Sequence, residues 1–454
     1  MAVAGCERVE QVGDDVAVET ASLRCVPRDG ATILGVAPNG ELWLSTASGT
    51  RVLDLAGGDR TIAASLGDAT HVLPWDASTA SFVAGDALWS WRDGAREVVA
   101  LPESVGAVRD LCGAPDDEHG VFVATDRGLF ERDGRWWWQW SSGGAPLPPG
   151  QRVFSLDGAC GGRDDTVWFE ADDGELWQVS AASAAPVADA RELTDLVGRR
   201  GGVAARFGST LRLGPDWRDV ELAGGEVVAM SGTYRRLWVA TTAGMYSRTG
   251  AWSRIDGLPT TPPATIAAHA ADGAWLAYDD ELCHATIAPP ILVRGLRPFE
   301  RRRERTVELE LAFVDHTETT AIVALDGAEV ASAEIADGVA RLPELALGNT
   351  GWHALSVRTG DHERLLDYYL LPGASRSWAA DIEPLFQTYC AGGACHGPAP
   401  GGNRPDLSTY EGWQARYAQI RSRLLAGTMP PTDPRPTAAE LDAILEWIEG
   451  GRLP

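Results

Sequence analysis

Lysine is absent: the 39 basic side chains of this 454-residue chain are all arginine. That excludes a phosphate-binding loop with its lysine, a Schiff-base mechanism and a kinase-type active site. Positive charge is also in short supply, because 64 Asp and Glu residues set the formal net charge at −25. A surface this acidic repels phosphate backbones, so general nucleic-acid binding is excluded. No run approaches the roughly 20 apolar residues of a membrane-spanning helix. Gly-x-Ser-x-Gly, His-Glu-x-x-His and a framed pair of acids are missing too, which removes the commonest hydrolase signatures. Methionine is scarce, with 4 copies. What is abundant is glycine (51) and tryptophan (18), on a background 44% hydrophobic and 23% charged. This is the composition of a soluble, turn-rich β protein, long enough for two to four domains.

Short apolar segments with an aromatic recur through the first 287 residues: Leu42-Trp43-Leu44, Phe82-Val83-Ala84, Val121-Phe122-Val123, Val167-Trp168-Phe169, a degraded Ala205-Arg206-Phe207, Leu237-Trp238-Val239 and Ala274-Trp275-Leu276. Their starts lie 40, 39, 46, 38, 32 and 37 residues apart. Most lead through a glycine turn into a second short strand, as in Thr125-Asp126-Arg127-Gly128-Leu129-Phe130, which is hairpin grammar. A period near 40 with four short strands per unit predicts a seven-bladed β-propeller over 21–288, after a lead segment 1–20. The repeats resemble those of propellers in sensor ectodomains and similar exported proteins, a resemblance that speaks to fold and not to ligand.

Pro289-Pro290 marks a boundary, and beyond it Val307, Leu309, Leu311 and Phe313 alternate with polar residues. Asp326-Gly327 between apolar runs is a type I′ hairpin signal. Residues 289–373 therefore read as an immunoglobulin-like β-sandwich. The basic run Glu300–Arg305 before its first long strand reads as a solvated loop interleaved with Glu rather than an anion site. From 374 to 454 the pattern turns helical. Trp378, Ile382, Leu385, Phe386 and Tyr389 form one stripe, and Tyr410, Trp413, Tyr417, Ile420 and Leu424 a second. Thr437 with Glu440 three residues later is a capping box opening a third helix that Gly450-Gly451 stops.

Cys390-Ala391-Gly392-Gly393-Ala394-Cys395-His396 carries the chemistry. Two thiols can add across the vinyl groups of a haem, with the following His beneath the iron. Four residues separate the cysteines where two are commoner, and the Gly and Ala between them suit a bulge. A plain disulfide, or three of the four ligands of a zinc site, are the alternatives from spacing alone. Met429, in Gly427-Thr428-Met429-Pro430-Pro431, lies 33 residues after His396. With Ile382–Phe386 and the closing Trp447-Ile448-Glu449-Gly450, these pieces resemble the small class I c-type cytochrome domains that end many exported bacterial proteins. The resemblance implies one haem c, held covalently by Cys390 and Cys395, with His396 and Met429 as axial iron ligands.

Haem attachment of this kind takes place outside the cytoplasm, so the resemblance implies export to the periplasm or outer membrane. Val3-Ala4-Gly5-Cys6 resembles a lipoprotein lipobox, which would make Cys6 a lipid-bearing anchor, though no apolar stretch precedes it. The pairing of Cys25, Cys112, Cys160 and Cys283 is left open by the sequence. His71, His119, His269, His284, His316, His353 and His362 are scattered and read as surface or hydrogen-bonded strand residues. Trp136-Trp137-Trp138 with Trp140 could stack a carbohydrate or a quinone, but blade strands bury aromatics routinely. The expected function is one-electron transfer with a redox partner protein, the propeller recognising a ligand or acting as scaffold. Two alternatives stand behind it: a propeller dehydrogenase feeding its own cytochrome domain, and a binding lipoprotein whose haem is a sensor or structural element.

Overall fold

The structure is a computed structural model. It describes the whole chain except residues 1–8, 14–15, 56–57, 63–65, 67, 76–77, 93, 114–120, 134–135, 143–144, 155–165, 181–182, 188–192, 200–201, 215, 224, 234, 271–272, 289–290, 298–299, 303, 314–315, 371–375, 392–395, 397–405, 415, 426–428, 431–434 and 450–454. Cys6, His119, Cys160, the Pro289-Pro290 boundary and Cys395 therefore lie outside the described residues.

Seven antiparallel sheets follow one another between residues 32 and 286. Sheets 1 to 6 span 32–62, 69–98, 108–139, 150–186, 193–222 and 227–256, each four consecutive strands paired in sequence order. Sheet 7 has three consecutive strands over 265–286 and takes its fourth, Ser22–Pro27, from the start of the chain. The first strands pack in a closed circuit from Thr32–Val36 through each following sheet to Thr265–Ala270, which returns to Thr32–Val36. The arrangement is mainly β and propeller-like.

The recurring aromatic segments all fall on the second strand of their sheet. Alternate side chains on a strand point to opposite faces, so such a strand can seal two interfaces at once. Trp43 packs with Val72 and Phe82 of sheet 2, while its neighbours Leu42 and Leu44 pack with Trp275 and Leu282 of sheet 7. The same division repeats around the circuit, with an apolar cluster between every pair of adjacent sheets.

The start of the chain is woven into the rim. Glu10–Val12 pairs in parallel with Arg218–Leu222 of sheet 5, and Ala17–Thr20 in parallel with Trp252–Asp256 of sheet 6. Polar contacts reinforce both: Glu10 accepts from Arg248 and from the Trp252 indole, and Glu19 from Arg236 and Ser247. Cys25 then meets Cys283 across the closing ladder as a disulfide spanning 258 residues of sequence. Cys112 is disulfide-bonded as well.

Two further sheets face each other over a common core. One holds Ile291–Arg294, Thr306–Phe313 and Val339–Ala346; the other holds Arg301–Arg302, His362–Leu370, Gly351–Thr359, Thr320–Leu325 and Ala328–Glu334. The alternating Val307, Leu309, Leu311 and Phe313 meet Val323, Leu355, Val357 and Tyr368 inside. Asp326 and Gly327 have φ of 50° and 84° between the paired Leu325 and Ala328, as a type I′ turn requires. The basic run is neutralised locally, Arg302 lying 3.5 Å from Glu300 and 3.6 Å from Glu304. Arg235 of sheet 6 ties this unit to the ring through the buried Asp367 at 2.8 Å.

Candidate functional site

The described helices lie in the last stretch of the chain. Ser377 opens it: its hydroxyl accepts from Ala380 N–H while its own N–H donates to Asp381. A π-helical turn, Trp378–Ile382, runs directly into α1 (Glu383–Tyr389). The expected second helix is divided into α2 (Tyr410–Gln414) and α3 (Tyr417–Leu425), joined by an i→i+3 bond from Arg416 N to Trp413 O. Gly412, within α2, lies so close to Asp406 that a Cβ would sit 2.5 Å from that carbonyl. α4 (Ala438–Glu449) begins with the capping box, Thr437 N–H donating to Glu440 at 2.8 Å and Glu440 N–H returning to the Thr437 hydroxyl at 3.4 Å.

These elements pack around an aromatic cluster. Trp378 lies 5.4 Å from Trp413 and 6.0 Å from Trp447, ring centre to ring centre, and Phe386 lies 6.2 Å from Trp378. Trp413, Trp447 and Phe386 are fully buried. Trp140 of the ring side packs partly against this core and also stacks on Phe122 of sheet 3, at 6.3 Å. It therefore serves as a packing residue shared by the ring and the helices. Trp137 is half-buried against the cluster between sheets 2 and 3.

Beside the aromatic cluster is a cavity of about 310 Å³. Cys390, His396 and Met429 all line it, brought together from three separate stretches of chain. Backbone hydrogen bonds hold each one. Cys390 N–H caps α1 on Phe386 O at 2.8 Å. His396 is pinned on both sides, its N–H donating to Cys390 O at 3.1 Å and its carbonyl accepting from Leu407 at 3.0 Å. Met429 N–H reaches Arg423 O at the end of α3, at 3.4 Å, and Pro430 after it is buried. Leu385, Leu407, Trp413, Ile420, Leu424 and Ile444 supply the apolar part of the wall. Tyr389 lines it too and donates its hydroxyl to Glu440 at 2.8 Å, joining α1 to the start of α4. That bond raises the Tyr389 pKa, and the Thr437 hydroxyl holds Glu440 below the usual carboxylate range.

Sequence reasoning missed three polar residues of the wall, Arg416, Gln419 and Arg423. With Ile420 they occupy i, i+3, i+4 and i+7, a stripe that could have been found had it not been mixed in polarity. The other two methionines are buried in the ring, Met230 and Met245 both packing between sheets.

Of the scattered histidines, His269 and His284 meet in sheet 7 with their Nε2 atoms 2.8 Å apart. Burial lowers the pKa of both, that of His284 to about 4. His353 lies 2.6 Å from Asp326, and His71 lies 3.9 Å from Asp110.

No protein-family model matches the chain, and no curated protein matches it. Solved structures do resemble it. The extracellular domain of a hybrid two-component system from B. thetaiotaomicron aligns with a TM-score of 0.43 and 13% identity, covering 77% of this chain and 59% of that one. The chain thus spans 59% of the length of that domain. A catalytically inactive virginiamycin B lyase from Staphylococcus aureus, crystallised with quinupristin, aligns over 59% of this chain and 99% of its own, with a TM-score of 0.42 and 10% identity. The propeller-like description rests on the circuit of sheets itself.

Proposed function

We propose that residues 374–454 form a c-type cytochrome module and that the protein is an exported one-electron carrier. The observation that carries this reading is the convergence of Cys390, His396 and Met429 on one apolar cavity. The donor set fits a haem: a thiol for covalent attachment, an imidazole and a thioether for the iron, and aliphatic walls for the macrocycle. Cys395, directly before His396, would be the second thiol. Bound there, a haem supplies a one-electron redox couple.

The chain's own residues would do the rest. His396, held from both sides through its backbone, would present its imidazole in a fixed orientation. The soft Met429 sulfur favours reduced iron, and the water-excluding wall acts in the same direction, giving a potential suited to a respiratory partner protein. Arg416 and Arg423 offer positive charge for carboxylate groups at the cavity edge. The propeller over 21–288 and the immunoglobulin-like sandwich over 289–373 would recognise a ligand or a partner. Export accords with the disulfides, which persist in oxidising compartments. Cys6 would then serve as a lipid attachment point.

The test is chemical. Protein made with a cytochrome c maturation system should keep its haem through denaturation and acid–acetone extraction, and give a pyridine-haemochrome spectrum. Met429→Ala should remove the near-infrared sulfur-to-iron band, lower the potential and admit cyanide rapidly. Met230→Ala and Met245→Ala should do neither. Clean extraction of haem from the wild type would overturn the covalent reading.

A further inference from the structure

A second set of metal-competent side chains lies on the two-sheet unit, outside the cavity described above. His316 and Glu318 come from the connection after Thr306–Phe313, and His362 from the turn between Gly351–Thr359 and His362–Leu370. One ligand atom from each lies within 4.8 Å of the other two. The His316 Nδ1 to Glu318 Oε2 distance is 3.4 Å, and the two imidazoles stand edge to face at 5.2 Å. Bonds of 2.0–2.2 Å to a tetrahedral ion place neighbouring ligand atoms about 3.4 Å apart. One edge of the polyhedron therefore already has its bound length, and the other two lie within 4.8 Å.

The local chain keeps these groups together. Thr359 pairs with His362 across a two-residue turn, and its hydroxyl donates to Thr320 O at 3.0 Å, fastening that turn to the segment after Glu318. Gly360, with φ of 54°, leaves room for the carboxylate: a Cβ there would lie 2.7 Å from Glu318 Oε1. Thr317 N–H donates to Glu318 Oε2 at 3.1 Å. His316 is wedged edge-on against Phe313 at 5.7 Å, with its side chain 1% exposed, whereas Glu318 is 33% exposed. Backbone hydrogen bonds hold the Glu318 carboxyl below its usual range, so it is anionic at neutral pH.

We propose that His316, Glu318 and His362 bind one divalent transition-metal ion of the zinc class. Two imidazoles and one carboxylate select a borderline ion over calcium or magnesium, which prefer oxygen ligands. Three protein ligands leave a coordination position open on the exposed side, for water or for a donor group of another molecule.

The experiment titrates the full-length, chelator-stripped protein with Zn(II) against a chromophoric competitor, and with Co(II) as a visible reporter. One non-haem Zn(II) per chain and the intense visible bands of low-coordinate Co(II) are expected. His362→Ala and Glu318→Ala should each weaken binding by about 100-fold or more, since even outer-shell changes cost about 10- to 100-fold. His353→Ala, in the same unit but paired with Asp326, should not. In the wild type, Zn(II) should protect His362 from diethyl pyrocarbonate, read by mass spectrometry. That readout does not depend on any variant folding. Absence of binding at micromolar Zn(II), or protection of other histidines instead, overturns the proposal.

Discussion

In the ring, every sheet buries both faces, and the same second-strand aromatic pattern fills each interface in turn. In the helical segment, four aromatic side chains fill one side of a single small core, and the other side is a cavity of about 310 Å³. Closure differs as well. The ring is closed by a β ladder, two added rim strands and a disulfide, whereas the helices are joined by side-chain bonds such as Tyr389 to Glu440 and Arg376 to Glu446. The ring fills its interfaces with its own side chains, whereas the helical core borders an open cavity.

The comparison sharpens most when the cavity is left unfilled. The cavity wall carries Leu385, Leu407, Ile420, Leu424 and Ile444, apolar surface that an occupant would cover and water does not satisfy. Protein made without haem maturation should therefore have protease-sensitive helices attached to an intact ring. Limited proteolysis with mass spectrometry would locate the cuts. Equal resistance of residues 374–454 in both preparations would show that the cavity needs no occupant.

Next in size is the ring's covalent closure. Replacing Cys25 and Cys283 by serine opens a 258-residue loop and should cost about 2–5 kcal/mol. Guanidinium unfolding of the ring should shift to lower denaturant, with hydrogen exchange of the α1 to α4 amides of the native protein unchanged. If the midpoint stays put, the ladder and rim strands alone close the ring.

Comparable in size is the response to acid. His269 and His284 are buried and kept neutral, with pKa values lowered mainly by burial. In the unfolded chain each takes up a proton near pH 6.5. Between that value and the folded pKa, about 4 for His284, the unfolded state binds more protons, so ring stability falls as pH falls. The slope is up to about 1.4 kcal/mol per pH unit for each histidine. His284→Gln should flatten the dependence between pH 6.5 and 4. An unchanged slope would mean that other groups set it.

Much of this was legible in the sequence wherever one residue type had one structural use. Trp43, Trp238 and Trp275 announced the second strands because these positions are buried between sheets and a large aromatic fills them. Asp326-Gly327 announced its turn because both positions need positive φ. Cys390, His396 and Met429 could be grouped because their chemistry is rare in this chain. What was not legible depended on partners far apart in sequence. Nothing near Cys25 names Cys283, and the parallel pairing of Glu10–Val12 with Arg218–Leu222 has no local signal. The division between α2 and α3 was hidden as well, since the apolar stripe runs through it.

The smallest effect expected is at Thr437, and it tests the helical side of the comparison alone. Its hydroxyl lies 2.7 Å from Glu440 Oε2, and that same carboxylate accepts from Thr437 N–H and from Tyr389, both at 2.8 Å. Thr437→Ala removes the cap on α4 and should cost about 1 kcal/mol, with Thr437→Ser restoring most of it. Glu440 adds a pH signature: its folded pKa is depressed, first by the Thr437 hydroxyl, so its contribution is present above the unfolded carboxyl value and is lost as pH falls through the folded one. The gap between wild type and Thr437→Ala should thus be widest near neutrality and close in acid, opposite to a change that merely disturbs packing. Unfolding should be followed by hydrogen exchange of the α4 amides, which reports the helices and not the ring. A gap independent of pH would place the weight of this junction on packing rather than on the hydrogen bonds that join α1 to α4.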